Sequence, residues 1–296
     1  MPWILIAFVS PILHGFSNIL DNYLANKLFK NLWTLIFYSS LLNAVFLPFV
    51  LLIQVPDLPP LEFLPLFLLI GLIEVFYLFP YYKALQNEDT SVITALFSIG
   101  RIFVPILAFF IVKEVLSLPQ YIGFLIIIIS SVAVTFNGRM KFRINKSFLL
   151  MILSALLLSI EAVIYKYLFE NVSWSTGFVW PVIFSFVISL FFLFIPKPRK
   201  DIIENRKNFI KNLPIFASEE ILTFGGSATA VYAISLVPVT LVKGIASFQA
   251  FFVLVYAIAL HRFFPNVFKE NIDRRSIIKK MVFFLLMVAG VILTIG

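Results

Sequence analysis

Four ionisable side chains lie deep inside apolar runs of this chain: Arg101, Glu74, Glu161 and His14. An ionised group at the centre of a bilayer costs about 2.5–3.5 kcal/mol on insertion scales, so such residues face protein or a water-filled cavity and find partners there. Arg101 with Glu74 or Glu161 is the expected buried pair. The chemistry open to such a set is ligand binding or proton coupling. Arginine stays charged and offers a planar fork to a carboxylate or phosphate, and histidine titrates near neutral pH, which suits a relay. The competing reading of each is structural: an ion pair that locks two helices, or a neutral histidine bonded to a neighbouring helix.

These residues come with polar companions at helical spacing. Thr94, Ser98 and Arg101 fall at i, i+4 and i+7, as do His14, Asn18 and Asp21, so each trio shares one helical face. Asp21 lies at the inner end of its run, where water reaches it. Tyr77 and Tyr81 follow Glu74 at i+3 and i+7. Glu220, Thr223 and Ser227 form a further stripe, which favours Glu220 over Glu219 as the residue facing a cavity, with Glu219 snorkelling. Lys243 is a binding candidate too, although its long stem reaches water from its depth. Trp174 and Trp180 flank an apolar run and read as interface anchors.

The elements that must position these groups are membrane helices. The chain is 61% hydrophobic and 13% charged, with a mean hydropathy of +1.03, where soluble domains run nearer 45–50% apolar and about 25% charged. The expected fold is all-α: a polytopic membrane protein of ten transmembrane helices, near ~3–25, ~32–53, ~62–82, ~91–112, ~118–136, ~147–169, ~175–195, ~213–235, ~238–260 and ~278–295. No basic segment precedes the first run, which reads as a span and not as a cleavable signal. The eighth run holds two carboxylates and Gly225-Gly226, a combination tolerated at depth only against protein or a cavity. The chain has no cysteine, no G-x-x-x-x-G-K-[ST], no H-E-x-x-H and no G-x-S-x-G, so thiolate chemistry, a P-loop, zinc proteolysis and a serine elbow have no residues to act through.

The sequence also repeats weakly. At an offset of 149, Thr240 matches Ser91, Lys243 matches Thr94, Ser247 matches Ser98 and Ala250 matches Arg101; at 144, Tyr167-Leu168 matches Tyr23-Leu24. The expected organisation is one membrane domain of two five-helix repeats, 1–137 and 147–296, joined by a basic linker, 138–146. With the N-terminus outside, nineteen basic loop residues lie on the inner side and Lys113 alone on the other, so the positive-inside rule places both termini outside. Five spans per repeat then invert the second half relative to the first, an architecture of secondary transporters with a site at the midplane.

Ten spans in a five-plus-five duplication, Lys113-Glu114 closing the fourth span, and Gln120 and Gly123 following it resemble the EamA family of the drug/metabolite transporter superfamily. The resemblance implies a transporter of amino acids, drugs, nucleotide sugars or related metabolites, and it covers essentially the whole chain. Three departures mark this sequence: Arg101 stands where the family usually has proline, Phe263 where the second repeat's glutamate is expected, and the loop charge inverts the family's usual orientation.

The function expected is secondary transport of a small polar or amphiphilic metabolite by alternating access, with proton coupling through Glu74 or Glu161, in the plasma membrane. The candidate site comprises Arg101, Glu74, Glu161, Ser98, Thr94, Glu220, Ser247, Tyr77, His14, Asn18 and Lys243. A small-molecule substrate and the bilayer are the expected partners, protons and a second copy of the chain are further ones, and no nucleic acid or cofactor is expected. A lipid-carrier flippase and a non-transport scaffold or sensor subunit stay open; a polar-lined cavity favours transport and a dry core favours scaffolding. The topology is testable with single cysteines placed in this cysteine-free chain. Cysteines in the segments Pro196–Asn212 and Arg262–Lys280 should resist a membrane-impermeant reagent in intact cells, while one at Gly296 is labelled; the opposite pattern reverses the assignment.

Overall fold

A computed structural model describes residues 2–135, 144–261 and 274–295, and among them no strand occurs. The helices are α1 (Pro2–Tyr23), α2 (Leu32–Leu51), α3 (Leu64–Phe76), α4 (Leu78–Leu85), α5 (Thr90–Gly100), α6 (Phe103–Ile111), α7 (Leu118–Thr135), α8 (Lys146–Leu168), α9 (Trp174–Leu190), α10 (Pro196–Glu204), α11 (Arg206–Lys211), α12 (Leu213–Leu236), α13 (Val239–Ala246), α14 (Gln249–His261) and α15 (Arg274–Ile295). Among the described residues nine helical stretches are long and apolar enough to cross a membrane. The eighth expected span is α12, an unbroken helix of 24 residues, or roughly 36 Å. Glu219 and Glu220 lower its apolar character, and α1, α2, α8 and α9 surround it. Most of the linker 138–146, with Arg139, Lys141 and Arg143, lies outside the described residues, as do Arg262, Phe263, Lys269 and Gly296.

Three of the expected spans are each two helices. The third breaks at Tyr77 between α3 and α4, and the fourth at Arg101-Ile102 between α5 and α6. Proline explains both. A proline ring displaces the carbonyl four residues before it and supplies no N–H, and Pro80 and Pro105 stand four residues after Phe76 and Arg101. The ninth breaks at Ser247-Phe248 between α13 and α14 with no proline nearby. The Gly225-Gly226 pair, in contrast, passes through α12 as regular helix.

Small residues set the close approaches. A Cβ on Gly226 would stand 2.8 Å from His14 Nε2, so glycine is what admits the imidazole of α1 against α12. Where α7 crosses α15, a Cβ on Gly290 would stand 2.8 Å from the Gly123 carbonyl oxygen. Such backbone-close crossings characterise helix association in lipid, where no hydrophobic force separates protein from solvent.

Two ends are tied by charge. The Glu114 carboxylate accepts from the backbone N–H groups of Val239 (2.7 Å) and Thr240 (3.1 Å) at the start of α13. Lys166 Nζ donates to the carbonyls of Ile234 (3.2 Å) and Val237 (2.9 Å) at the end of α12. Each side chain has the sign that the helix dipole favours at that terminus.

The segment Pro196–Asn212 is folded, as α10 and α11 docked on α2. Tyr38 stacks on Phe209 at 3.8 Å and donates to the Ile202 carbonyl at 3.2 Å. Trp174 departs from its expected interface role: it is buried beside Phe178 and Tyr232, because it opens α9 on the inward side of the bundle. Trp180 donates its indole N–H to the Asp57 carbonyl at 2.9 Å. The α7–α15 crossing yields a direct test. Gly290→Val should lower the melting temperature in detergent, by an overpacking cost of about 1–3 kcal/mol, whereas Ile292→Val on the exposed face of the same helix should change it little.

Candidate functional site: a charged cavity at the helix breaks

A cavity of about 200 Å³ is lined by side chains from α1, α2, α3, α4, α5, α8, α9, α12, α13 and α14. Among its lining residues are His14, Asn18, Glu74, Tyr77, Arg101, Glu161, Glu220 and Lys243, eight of the expected set. The other three, Thr94, Ser98 and Ser247, are fully buried between helices and do not line it. The polar stripe of the fourth span is therefore split. Thr94 spends its hydroxyl on the carbonyls of Thr90 (3.2 Å) and Ser91 (3.0 Å), and only Arg101, at the break, reaches the cavity.

Arg101 does not pair with Glu74 or Glu161. Its Nη2 donates to Gln249 Oε1 at 2.7 Å and its Nη1 to Ser98 Oγ at 3.4 Å. The helix breaks are the reason. Arg101 caps the C-terminus of α5 and Gln249 opens α14, so the two interruptions bring these side chains together, while Glu74 accepts from the Tyr165 hydroxyl at 3.2 Å. Lys200 and Glu204, 3.8 Å apart among the described residues, form an ion pair on the exposed surface. Arg101 thus meets only neutral partners, and a guanidinium has five N–H donors, so part of its fork is uncommitted.

The serines form a relay. Ser131 of α7 donates to the Ser247 carbonyl at 2.7 Å, and the Ser98 and Ser131 hydroxyls lie 2.8 Å apart. With the Ser131 proton committed to the carbonyl, the single Ser98 proton is shared between Ser131 and the Thr94 carbonyl, 3.2 Å away. The chain runs Arg101, Ser98, Ser131, Ser247 carbonyl, and it couples the break in the fourth span to that in the ninth. Ser98 and Ser247, 149 positions apart in the sequence, meet through a third serine.

Lys243 faces the cavity and does not snorkel, lying in the electrostatic field of Glu161 and Arg101. His14 lies in the field of Lys243 and Arg101. The other end of the cavity is acidic. Asp21 is not solvated: it is 6% exposed and accepts from Tyr81 at 2.7 Å and Tyr82 at 2.9 Å. Glu219 and Glu220 both line the cavity, against the expectation that Glu219 snorkels. Helices surround α12 here, so neither carboxylate has a route to the surface. Glu219 accepts from Thr223 at 2.7 Å, and Glu220 accepts from Asn43 at 2.7 Å.

Gln249, Asn43, Tyr165 and Tyr82 are site residues that the sequence reading passed over. Gln249 had a visible signal: one more polar residue in an apolar run, 148 positions from Arg101 and one position off the repeat register that pairs the serines. Asn43 and Tyr165 had none, since a lone amide or phenol in an apolar helix is commonplace. Ser131→Ala, which removes the donor to a buried carbonyl, should cost about 1–3 kcal/mol of stability. Ser130→Ala alongside it, for which no such bridge exists in the structure, is the control in detergent melting.

The model of the EamA-like transporter family matches residues 1–136. No curated protein matches the sequence. A solved structure, described simply as the crystal structure of a protein, superposes on 99% of this chain and 95% of its own with a TM-score of 0.65 at 14% identity, which shows a shared fold. Residues 1–136 are thus similar to the EamA-like transporter family, and with nine helical stretches among the described residues long and apolar enough to cross a membrane the chain is an integral membrane protein.

Proposed function

We propose that the chain is a secondary transporter that carries a small polar or amphiphilic metabolite through this cavity by alternating access. The observation that supports the reading best is a cavity lined by charged and polar groups from both halves of the chain, in contrast to the dry core of a scaffold. Arg101, with donors to spare and no carboxylate partner, is the anchor for an anionic group of the substrate, and Lys243 adds positive charge beside it. Glu74 and Glu161, which lie in each other's field, are the groups proposed to couple transport to protons.

The two halves act in this reading as inverted repeats, 1–137 and 147–296, with both termini outside the plasma membrane. Reciprocal contacts support it: α1 of the first half lies on α12 and α14 of the second, and α8 of the second lies on α4, α5 and α6 of the first. Breaks in the fourth and ninth spans at similar places give each half a hinge beside the site.

A thermal-shift screen of the purified protein against a metabolite library identifies ligands, because a molecule that binds only the folded state raises the apparent melting temperature. Arg101→Ala should abolish the shift given by anionic ligands and their uptake into proteoliposomes, while the variant elutes as a monodisperse peak. Arg101→Lys should recover little, because the planar fork is lost. Normal transport by Arg101→Ala with unchanged affinity overturns the central site, and a variant that fails to insert gives Arg101 a structural role.

A further inference from the structure

We propose that the end of the cavity formed by Asp21, Glu219 and Glu220 is an ammonium site, so that the transported molecule carries a protonated amine about two helical turns from Arg101. This rests on the reading of the cavity as a transport site and adds the chemistry of the substrate's second end. The three carboxylates act on one another electrostatically, Glu219 feeling both of the others. Their hydrogen-bond partners are neutral: Tyr81 and Tyr82 on Asp21, Thr223 on Glu219, Asn43 on Glu220. No ion pair to these carboxylates occurs among the described residues.

The site is also incomplete. Glu219 is 1% exposed and Asn18 5%, both line the cavity, and Glu219 Oε2 and Asn18 Nδ2 have no hydrogen-bond partner. A carboxylate oxygen only accepts, so a donor completes Glu219, and a donor that carries positive charge also stabilises the ionised form of the three clustered acids. Water supplies a donor but leaves the clustered negative charge uncompensated. A metal ion is disfavoured, since the described residues contain no group of three or more acidic or histidine ligands placed to hold one. A protonated amine answers both needs with three donors and a compact positive charge. Tyr81 and Phe97, with ring centroids 5.5 Å apart, line the cavity nearby and offer aromatic faces to a cation.

Spacing makes the inference specific. His14 precedes Gly15, which packs against Phe252 of α14, and Gln249, one turn from Phe252 on that helix, holds Arg101, so His14 lies within about a turn of the Arg101 level. Asp21 is seven residues further along α1, or roughly 10 Å at 1.5 Å per residue. A compact α-amino acid, whose ammonium and carboxylate groups share one carbon, cannot span that interval. A chain with its amine and its acid at opposite ends can.

The test uses the full-length protein in detergent and four probes: n-butylamine, butyrate, glycine and 6-aminohexanoate, each read by thermal shift. Butylamine and butyrate should each stabilise the wild type, 6-aminohexanoate should do so at lower concentration than either, and glycine should not exceed the single-ended probes. Glu219→Gln and Asp21→Asn, both close in shape to the native residues and checked for monodispersity, should weaken butylamine at least about tenfold, the scale of one charge-assisted hydrogen bond. They should leave butyrate unchanged. Arg101→Ala should do the reverse. Butylamine that fails to stabilise the wild type, or that binds both acidic-end variants as well as it binds the wild type, overturns the ammonium site. A butyrate response that survives Arg101→Ala instead overturns the anion anchor and leaves the ammonium site standing.

Discussion

The constraint on which the rest depends is that a backbone carbonyl released inside a bilayer has no water to turn to. Three spans of this protein are interrupted at depth, so each must find donors from neighbouring helices or forfeit about 1–3 kcal/mol per unpaired group. Ser154 of α8 donates to the Tyr77 carbonyl at 3.0 Å, and Ser131 of α7 donates to the Ser247 carbonyl at 2.7 Å. These hydroxyls reinforce long backbone bonds at the interruptions, where Tyr77 accepts from the Tyr81 N–H at 3.2 Å and Ser247 from the Ala250 N–H at 3.4 Å. Once the breaks are stabilised, Tyr77, Arg101 and Gln249 stand at helix ends beside a common space. The cavity is thus a consequence of where the helices stop.

Charge inside this cavity is held by neutral partners. Five carboxylates line it with Arg101, Lys243 and His14, yet the bonds recorded for them run to phenols, amides and hydroxyls. Buried ion pairs gain their attraction only against a large desolvation cost, and a closed pair leaves neither member free for a ligand. A guanidinium on an amide, or a carboxylate on a phenol, keeps the group positioned with its charge uncompensated. Arg101 on Gln249 and Asp21 between Tyr81 and Tyr82 are both of this kind. The cost of holding such charges falls on the fold, and the benefit falls to whatever enters the cavity.

Much of the architecture was legible because membrane spans announce themselves by length and composition, and because deep ionisable residues are few. Eight of the eleven residues expected at the site do line the cavity. Two of the three breaks were also marked, by Pro80 and Pro105, each four residues beyond the interruption. The third was not, because its carbonyl is met by Ser131, 116 residues away in sequence. The same gap explains the misassigned partner of Arg101. Helical periodicity does put Arg101 on the face of Ser98, whose Oγ it meets at 3.4 Å, but it does not say how much of that face neighbouring helices cover. Thr94 and Ser98 therefore turn into helix contacts while Arg101 alone enters the cavity. Glu219 was misplaced for a related reason: snorkelling assumes lipid or water beside the helix, and α12 is enclosed by other helices.

The same logic separates the two halves of the chain at their ends. Glu114, which closes the fourth span, caps the first two N–H groups of α13 across the boundary between the halves. A carboxylate at a helix N-terminus contributes about 0.3–1 kcal/mol when exposed and up to about 2 kcal/mol when partly buried. The matching position after the ninth span is Phe263, which has no oxygen to offer to the start of α5. The N-cap there is Asp89, whose own side chain makes no capping bond. One half therefore grips the other through Glu114. Lys166 strengthens that grip by holding the end of α12 next to the helix that Glu114 caps. An exact duplication would tie both ends of the bundle equally. This chain ties the start of α13 through Glu114, which reaches across from the end of the fourth span, and the end of α12 through Lys166 of the neighbouring α8.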